Sequence, residues 1–254
     1  MPMAGATAPV TLREVVVQHT AECLSGIVIS QLAEPGAPII YGGSPSALDM
    51  RHGTTPMGAM ETMMIDVAYA EIGKQLGMPT HAYMGLSDNK AVDWQAGCET
   101  STGAVLAALA GINVISGVGM LDYESSQSLE KLVLDNEACG LVKRLVRGVD
   151  DTSTEPTPAL LQAVVDAGHF LAAPHTRKHF REELHFPGPV MDRGSYSEWE
   201  GRGAPTAYEA AHQEVERIIA AGNPAPLAAD VQDLLDGIVR DDGQRLGHTL
   251  PLIA

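Results

Sequence analysis

The sequence predicts an α/β fold in which a parallel sheet carries helices on its outside and a helical tail follows. Three observations predict it. Short apolar runs alternate with longer stretches of helical periodicity through the first 150 residues, in the order βαβαβαβα. The later runs are stopped by glycine, at Gly42-Gly43, Gly85 and Gly117-Val118-Gly119. Beyond Asp150 the strand signals cease, and Pro156, Pro158, Pro174, Pro187, Pro189 and Pro205 punctuate helical patterns only.

The stretch from Gly5 to Val10 reads as the end of a first strand and its turn. Thr11 is suited to cap a helix in which Leu12, Val15, Val16, Cys23, Leu24, Ile27 and Val28 fall at helical spacing, ending before Pro35-Gly36. Residues 38–41 form a second apolar strand. A loop with Asp49, Arg51 and His52 then leads to a helix that starts near Gly58 and is ended by Gly77, with Met64, Val67, Ala68, Ile72 and Leu76 as its buried stripe. The third strand is 79–84 and its helix runs over about 90–110. The fourth strand is 112–116, with a helix over 128–147. In the tail, helical patterns cover 159–167, 175–184, 206–220 and 227–240. About four strands are too few for a closed eight-stranded barrel, although 254 residues would suit one. The pattern therefore reads as half of a TIM-type (β/α)8 barrel over residues 1–150, with a helical C-terminal extension over 151–254.

Composition narrows the function classes. The net charge is −16, from 32 acidic and 16 basic residues, which argues against a nucleic-acid groove and an anionic membrane surface. It fits a soluble chain and is compatible with a cationic ligand. Cys23, Cys98 and Cys139 lie far apart and form neither a disulfide framework nor a zinc knuckle, so a reducing, cytoplasmic setting is expected. The first residues lack a basic segment followed by an apolar core, and no signal peptide is expected. The uncharged run from Thr100 to Leu121 is interrupted by Gly103, Gly111, Gly117 and Gly119 and reads as a buried helix end and strand, with no membrane span expected.

Gly117-Val118-Gly119 lacks the third glycine of a dinucleotide fingerprint. His175 and His179 stand at helical i, i+4 spacing but without a glutamate between them or a cysteine nearby. A solvated basic face with Arg177, Lys178 and Arg181 is expected there, and no metal site.

The stretch that organises the rest runs from Tyr83-Met84-Gly85-Leu86-Ser87-Asp88-Asn89-Lys90 through Asp93-Trp94-Gln95-Ala96-Gly97-Cys98-Glu99. It is a strand, a tight turn and a helix start, the junction at which α/β proteins place ligands. These residues resemble the signature of the trimethylamine methyltransferase family, whose members pass a methyl group to a corrinoid protein. Pro2 to Thr11, Tyr41-Gly42-Gly43-Ser44, Pro56-Met57-Gly58, Gly117 to Leu121, Asp135-Asn136-Glu137, His175-Thr176, Asp192-Arg193 and Trp199-Glu200 are similar to further family segments. The resemblance implies a chain matching the C-terminal half of proteins roughly twice as long. It also implies that Leu86 occupies the position held by pyrrolysine in the trimethylamine enzymes proper.

Asp88, Val92, Gln95 and Glu99 fall on one helix face by their spacing, with Asp88 nearest the mouth of the barrel. Asp88 reads equally as a helix cap, and Glu99 reads on spacing alone as an ordinary helix residue. Tyr41 and Tyr83 end successive strands. An aromatic face binds a quaternary ammonium by cation–π attraction, with Asp88 or Glu61 as counter-charge; ordinary core tyrosines with satisfied hydroxyls are the alternative. The resemblance implies that Leu86 is a catalytic position and that Asp88, Gln95 and Glu99 support the pocket; Asp88 is taken as catalytic with it, and Tyr41, Glu61, Tyr83, Gln95 and Glu99 as substrate-binding. It implies no directly bound cofactor, the corrinoid being carried by a partner protein.

In the family reaction a reduced cobalt displaces nitrogen from a methyl group, and nitrogen leaves readily only when it bears positive charge. Leucine cannot form the adduct that pyrrolysine's imine offers a tertiary amine. A quaternary amine carries its charge already, so a betaine-like substrate is expected over trimethylamine. A half-barrel also exposes two strand edges, so pairing with itself or with an N-terminal half is expected. The alternative is a truncated or split member without catalysis of its own, an assembly subunit or remnant. An unrelated barrel enzyme such as a lyase is disfavoured because the resemblance extends along the chain.

Overall fold

The computed structural model describes residues 1–149, 156–162, 164–165 and 168–247. Its strands are β1 (Met3–Ala4), β2 (Tyr41–Gly43), β3 (Ser46–Ala47), β4 (Thr80–Tyr83), β5 (Val114–Ser116), β6 (Met120–Leu121) and β7 (Ser126–Gln127). β2, β4 and β5 form a parallel sheet in that order, with Tyr41 opposite Thr80 and His81 opposite Val114. β1 runs parallel to β3, with Met3 opposite Ser46. Only Ser44-Pro45 separates β2 from β3. Proline supplies no N–H to a ladder, and pairing there changes hands. Segment 41–47 thus meets β4 through its first half and β1 through its second.

The helices of this region are α1 (Leu12–Ala33), α2 (Met60–Gln75), α3 (Trp94–Leu109) and α4 (Leu129–Arg147). Each expected strand and helix of residues 1–149 is present, with three corrections. β2 begins at Tyr41, the last residue of the expected strand, so Gly42 and Gly43, where a stop was expected, lie within it. α3 begins at Trp94 because the Asp93 carboxylate caps it, accepting from the Gln95 backbone N–H at 2.9 Å; residues 88–93 are loop. β6 and β7 form a short antiparallel hairpin that the sequence reading did not include.

The core lies between the sheet and helices α1, α2 and α3. Val15, Tyr41, Ile65, Tyr69, Ala82 and Met84 are among its buried members. Burial alternates along β4, so Ala82 and Met84 face the helices while His81 and Tyr83 share the other face. On that second face the His81 and Tyr83 rings meet edge-on at 4.9 Å, and His81 Nε2 lies 2.5 Å from Ser116 Oγ.

The buried stripe of α2 differs from the expected one. Thr62, Met63, Ile65, Asp66, Tyr69, Ala70 and Gly73 face inward, whereas Met64 and Leu76 are exposed. Gly73 explains part of the difference. A β-carbon there would stand 2.7 Å from Tyr41 Cδ1 and 2.8 Å from Thr80 Cγ2, so α2 approaches the sheet on its smallest residue. On α1, Val15 and His19 are buried while Leu24 and Val28 are exposed, again narrowing the expected stripe.

The tail contains α5 (Thr157–Gln162), α6 (Pro174–Glu183), α7 (Tyr196–Gly201), α8 (Ala207–Ala221) and α9 (Ala229–Arg245). The end of the helix expected at 159–167, and the division at 150/151, fall outside the described residues. α7, closed at its start by a reciprocal capping box between Ser195 and Glu198, was not foreseen. On α6 Arg177, Lys178 and Arg181 are exposed as expected of a solvated basic face, but His179 is buried, its ring 4.7 Å from that of His175. The chain forms two compact units, Met1–Val215 and Glu216–Ala254. The second holds the end of α8 and α9, on which Val231, Leu234, Leu235 and Ile238 form an exposed apolar stripe. No helix among the described residues is long and apolar enough to cross a membrane.

Candidate active site

The turn after β4 is built around Leu86. Gly85 takes φ +74°, which bends the chain sharply at the strand end. Leu86 is 1% exposed and packs under the Gly117 turn. A β-carbon on Gly117, whose φ is +143°, would lie 2.7 Å from the Met84 carbonyl oxygen and 2.9 Å from Leu86 Cβ. The glycine therefore lets Leu86 fill the space beneath the turn.

Beyond Leu86 a polar network ties three loops together. The Asp88 carboxylate accepts the Met57 and Gly58 backbone N–H groups at 2.8 and 2.9 Å, one on each oxygen. Glu99, on the first turns of α3, accepts from Ser87 Oγ at 2.5 Å and from the Asp88 N–H at 2.9 Å through Oε2. Its other oxygen accepts from Gln95 Nε2 at 2.8 Å. Burial pushes the Asp88 carboxyl above its ordinary range, against the pull of the two backbone donors.

Lys90 fastens the same turn to the hairpin. Its ammonium donates to the Asp88 carbonyl oxygen at 2.7 Å, lies 3.4 Å from Asp122 Oδ1 and stands 3.8 Å above the Tyr123 ring. Asp122, Tyr123 and Glu124 are consecutive residues with φ of +51°, +56° and +71°. Three successive left-handed residues, none of them glycine, are costly in an L-peptide and persist only where their surroundings hold them. The Asp122 N–H, bonded to the Asn89 carbonyl at 2.9 Å, and the Lys90 contacts supply that hold.

Glu61, Asp88, Gln95 and Glu99 line one open cleft of about 640 Å³ at the C-terminal ends of β1 and β3, with Tyr123 on its wall and Arg51 and His52 on its rim. The Arg51 guanidinium is committed to Asp49, at 2.7 Å, and its hydrogen bonds hold the Asp49 carboxyl well below the usual range. The structure thus gathers four of the seven candidate residues. Leu86 lies under the adjoining turn, and Tyr83 stands on the sheet face shared with His81. Tyr41 is elsewhere: its ring is buried on the helix side of the sheet, and its hydroxyl donates to Thr20 Oγ1 at 3.2 Å. His19 shares that layer, its ring 4.6 Å from that of Tyr69, and burial pulls its pKa down to about 4.

Sequence reasoning missed three polar groups. Asp66 on α2, beside Tyr69, is buried, and Glu124 on the hairpin turn and Ser46 on β3 each carry a buried side-chain oxygen without a hydrogen-bond partner among the described residues. An acidic residue within the predominantly apolar run Met57–Ala70 was the available signal for Asp66. Glu124 had none, since its placement depends on the hairpin.

The chain matches the family model for trimethylamine methyltransferase (MTTB) over residues 1–245. It is 35% identical over 241 residues to the trimethylamine methyltransferase MttB of Methanosarcina barkeri, covering 94% of this chain and 48% of that protein. It is 32% identical over 253 residues to MttB of Desulfitobacterium hafniense (strain DSM 10664 / DCB-2), covering 100% of this chain and 51% of that protein. A glycine betaine methyltransferase of D. hafniense (strain Y51) is 32% identical over 247 residues, or 97% of this chain and 51% of the relative. The chain spans about half the length of these curated relatives. The match over 1–245 takes in the Leu86 turn, the α3 start that braces it and the glycine turn that covers it, and on that ground the chain belongs to the trimethylamine methyltransferase family.

Proposed function

We propose that this chain forms the C-terminal half of a TIM-type barrel, its residues 1–150, in a methyltransferase that takes a methyl group from a small quaternary amine. Betaine-like donors are favoured over trimethylamine. The single observation that carries the substrate class is Leu86. At the position that the resemblance assigns to pyrrolysine, this chain has an aliphatic side chain packed beneath Gly117, with no atom able to form an adduct with a tertiary amine. A relative named for glycine betaine supports the reading.

The acceptor in this reading is the cobalt of a corrinoid carried by a partner protein; it takes the methyl while the C–N bonding pair stays on nitrogen. Leu86, packed beneath the Gly117 turn beside the cleft, offers the donor no electrophile and leaves the chemistry to a substrate that already carries its charge. Glu99 and Asp88 hold the Leu86 turn against the loop that leads into α2, fixing that side of the cleft in place. Tyr123, kept in position by Lys90, offers an aromatic surface on the cleft.

The test is methyl transfer to a reduced corrinoid protein by this chain assembled with the complementary barrel half. A quaternary amine such as glycine betaine is expected to be demethylated, and trimethylamine at least about tenfold more slowly, a difference of about 1.4 kcal/mol in barrier. Equal rates from the two donors would overturn the substrate assignment.

A further inference from the structure

The loop between β3 and α2 brings a cation to a cleft otherwise rich in acids. Glu61, Asp88 and Glu99 reach the cleft from α2, the Leu86 loop and α3, and Asp49 adds a fourth carboxyl group. Among the described residues that line it, Arg51 alone carries a permanent positive charge, with His52 next to it. The loop that presents Arg51 is a tight turn. The Asp49 N–H donates to the Thr54 carbonyl oxygen at 2.9 Å, the Gly53 N–H returns to the Asp49 carbonyl oxygen at 2.7 Å, and Gly53 takes φ +66°. The Asp49 carboxylate also accepts the Arg51 backbone N–H at 2.8 Å. These bonds close the turn without help from the guanidinium.

The Arg51 side chain is nevertheless held in one geometry. Its Nε and Nη2 donate to the two oxygens of Asp49, at 3.2 and 2.7 Å, although the side chain is 82% exposed. A long exposed side chain ordinarily keeps its rotamer freedom, and an isolated surface pair adds little stability. Here the pair has a different consequence. A guanidinium has five N–H donors, and Asp49 takes two of them along one edge. The other edge, formed by Nη1 and the second Nη2 hydrogen, has no partner among the described residues. Two parallel N–H groups at a fixed angle are the fork that a carboxylate accepts with both oxygens. Asp49 thus positions the guanidinium and leaves that fork open on the rim of the cleft.

We propose that Arg51 is a specificity-determining residue that binds a carboxylate of the methyl donor, so that the cleft selects amines carrying a carboxylate over quaternary amines without one. The inference rests on the quaternary-amine reading above and deepens it. Charge fixes the orientation. Glu61 and Glu99 repel a carboxylate and attract an ammonium group, and the Tyr123 ring offers the ammonium an aromatic surface. A zwitterion therefore enters with its carboxylate on the Arg51 fork and its trimethylammonium end turned towards the acids and the ring. A donor without a carboxylate leaves the fork to water and is free to turn. Holding the far end of the donor places its methyl groups in one orientation, which is a contribution to binding and alignment. Arg51 takes no part in breaking the C–N bond, and Asp49 acts only through Arg51, as a positioning residue.

The test is calorimetric titration of the full chain, paired with its complementary barrel half, with glycine betaine and with choline. The two share a trimethylammonium group and differ in the carboxylate. Glycine betaine is expected to bind at least about tenfold more tightly, as a charge-assisted, two-pronged contact allows. Arg51→Gln is expected to lower the ratio of betaine to choline affinity at least about tenfold. That variant also uncovers the Asp49 charge. The double variant Asp49→Asn/Arg51→Gln has the net charge of the parent chain, and the ratio is expected to stay low in it, because the fork is missing. Arg51 is exposed, so neither variant disturbs the core, and choline serves as the measure of an intact cleft. Equal affinity of the parent chain for the two ligands, an equal loss of both in Arg51→Gln, or recovery of the ratio in the double variant would overturn the proposal. Its failure is separable from that of the reading beneath it. Arg51-dependent betaine binding without methyl transfer from any quaternary amine sinks the reading alone. Methyl transfer from glycine betaine and choline at equal rates, unaltered by Arg51→Gln, sinks the carboxylate contact alone.

Discussion

Asp66 shows how a buried acidic residue is held at a cost to the fold. It is 1% exposed, and burial raises its pKa well above the unfolded value. The folded chain therefore binds this proton more tightly than the unfolded one. The contribution to stability is complete below the unfolded pKa of about 4 and declines as pH rises towards the folded pKa. Asp66→Asn removes a group that must either hold a proton or lie bare. It is expected to raise stability at neutral pH by on the order of 1 kcal/mol, or about 2–4 °C in Tm for a domain of this size. It should also flatten the fall in Tm as pH rises above the unfolded pKa. Thermal melts of the two proteins across that range check it; a lower Tm for the variant at neutral pH, where the native carboxyl should be costly, would refute it.

At the scale of elements, α4 is pinned to α3 and to the Gly119 turn by one buried ion pair. Lys131 and Asp135 are both buried and in contact, Lys131 Nζ also donates to Thr100 Oγ1 at 2.7 Å, and Asp135 accepts the Gly119 N–H at 2.8 Å. Lys131→Met leaves Asp135 buried without its counter-charge. The expected loss is about 3–5 kcal/mol in urea unfolding, partly recovered at acid pH where Asp135 becomes neutral. A loss below about 1 kcal/mol would mean that water already reaches the pair. These helices were legible in the sequence because period and glycine stops agree along them. The start of α3 was not: Asp88, Val92, Gln95 and Glu99 do stand at helical spacing, but Asp93 captures the first free N–H and delays the helix to Trp94. The inward face of α2 was misread for a related reason. Apolar size marks a core stripe only where a helix packs on core, and α2 presents Thr62, Asp66 and Gly73 inward because it lies beside the cleft and close to the sheet. The grouping of Glu61, Asp88, Gln95 and Glu99 could be anticipated from the strand-end rule, whereas Glu124 depends on a hairpin that two-residue strands do not announce.

At the scale of the molecule, the parallel strands are bounded by β1 and β5, each hydrogen-bonded to a single neighbouring strand among the described residues. The β4 and β5 face turned away from the helices carries His81, Tyr83 and Ser116, all partly exposed, with Val114 at 42% exposure beside them. In an α/β sheet, both faces are ordinarily covered. Free edges of short parallel strands with apolar residues beside them are templates for further pairing. If further strands complete this sheet, the chain studied alone should satisfy its edges by other means. Light scattering is expected to give a mass above that of the 26.8 kDa monomer, and a complementary barrel half is expected to convert the self-associated material into a one-to-one complex. That complex should also melt cooperatively, since the strands would then share one core. A monodisperse monomer with a cooperative thermal transition would show that the two edges need no partner, and the half-barrel reading would lose its physical basis. Self-association that the complementary half leaves unchanged would point instead to a role in assembly, and would remove the ground for placing a catalytic cleft on this chain.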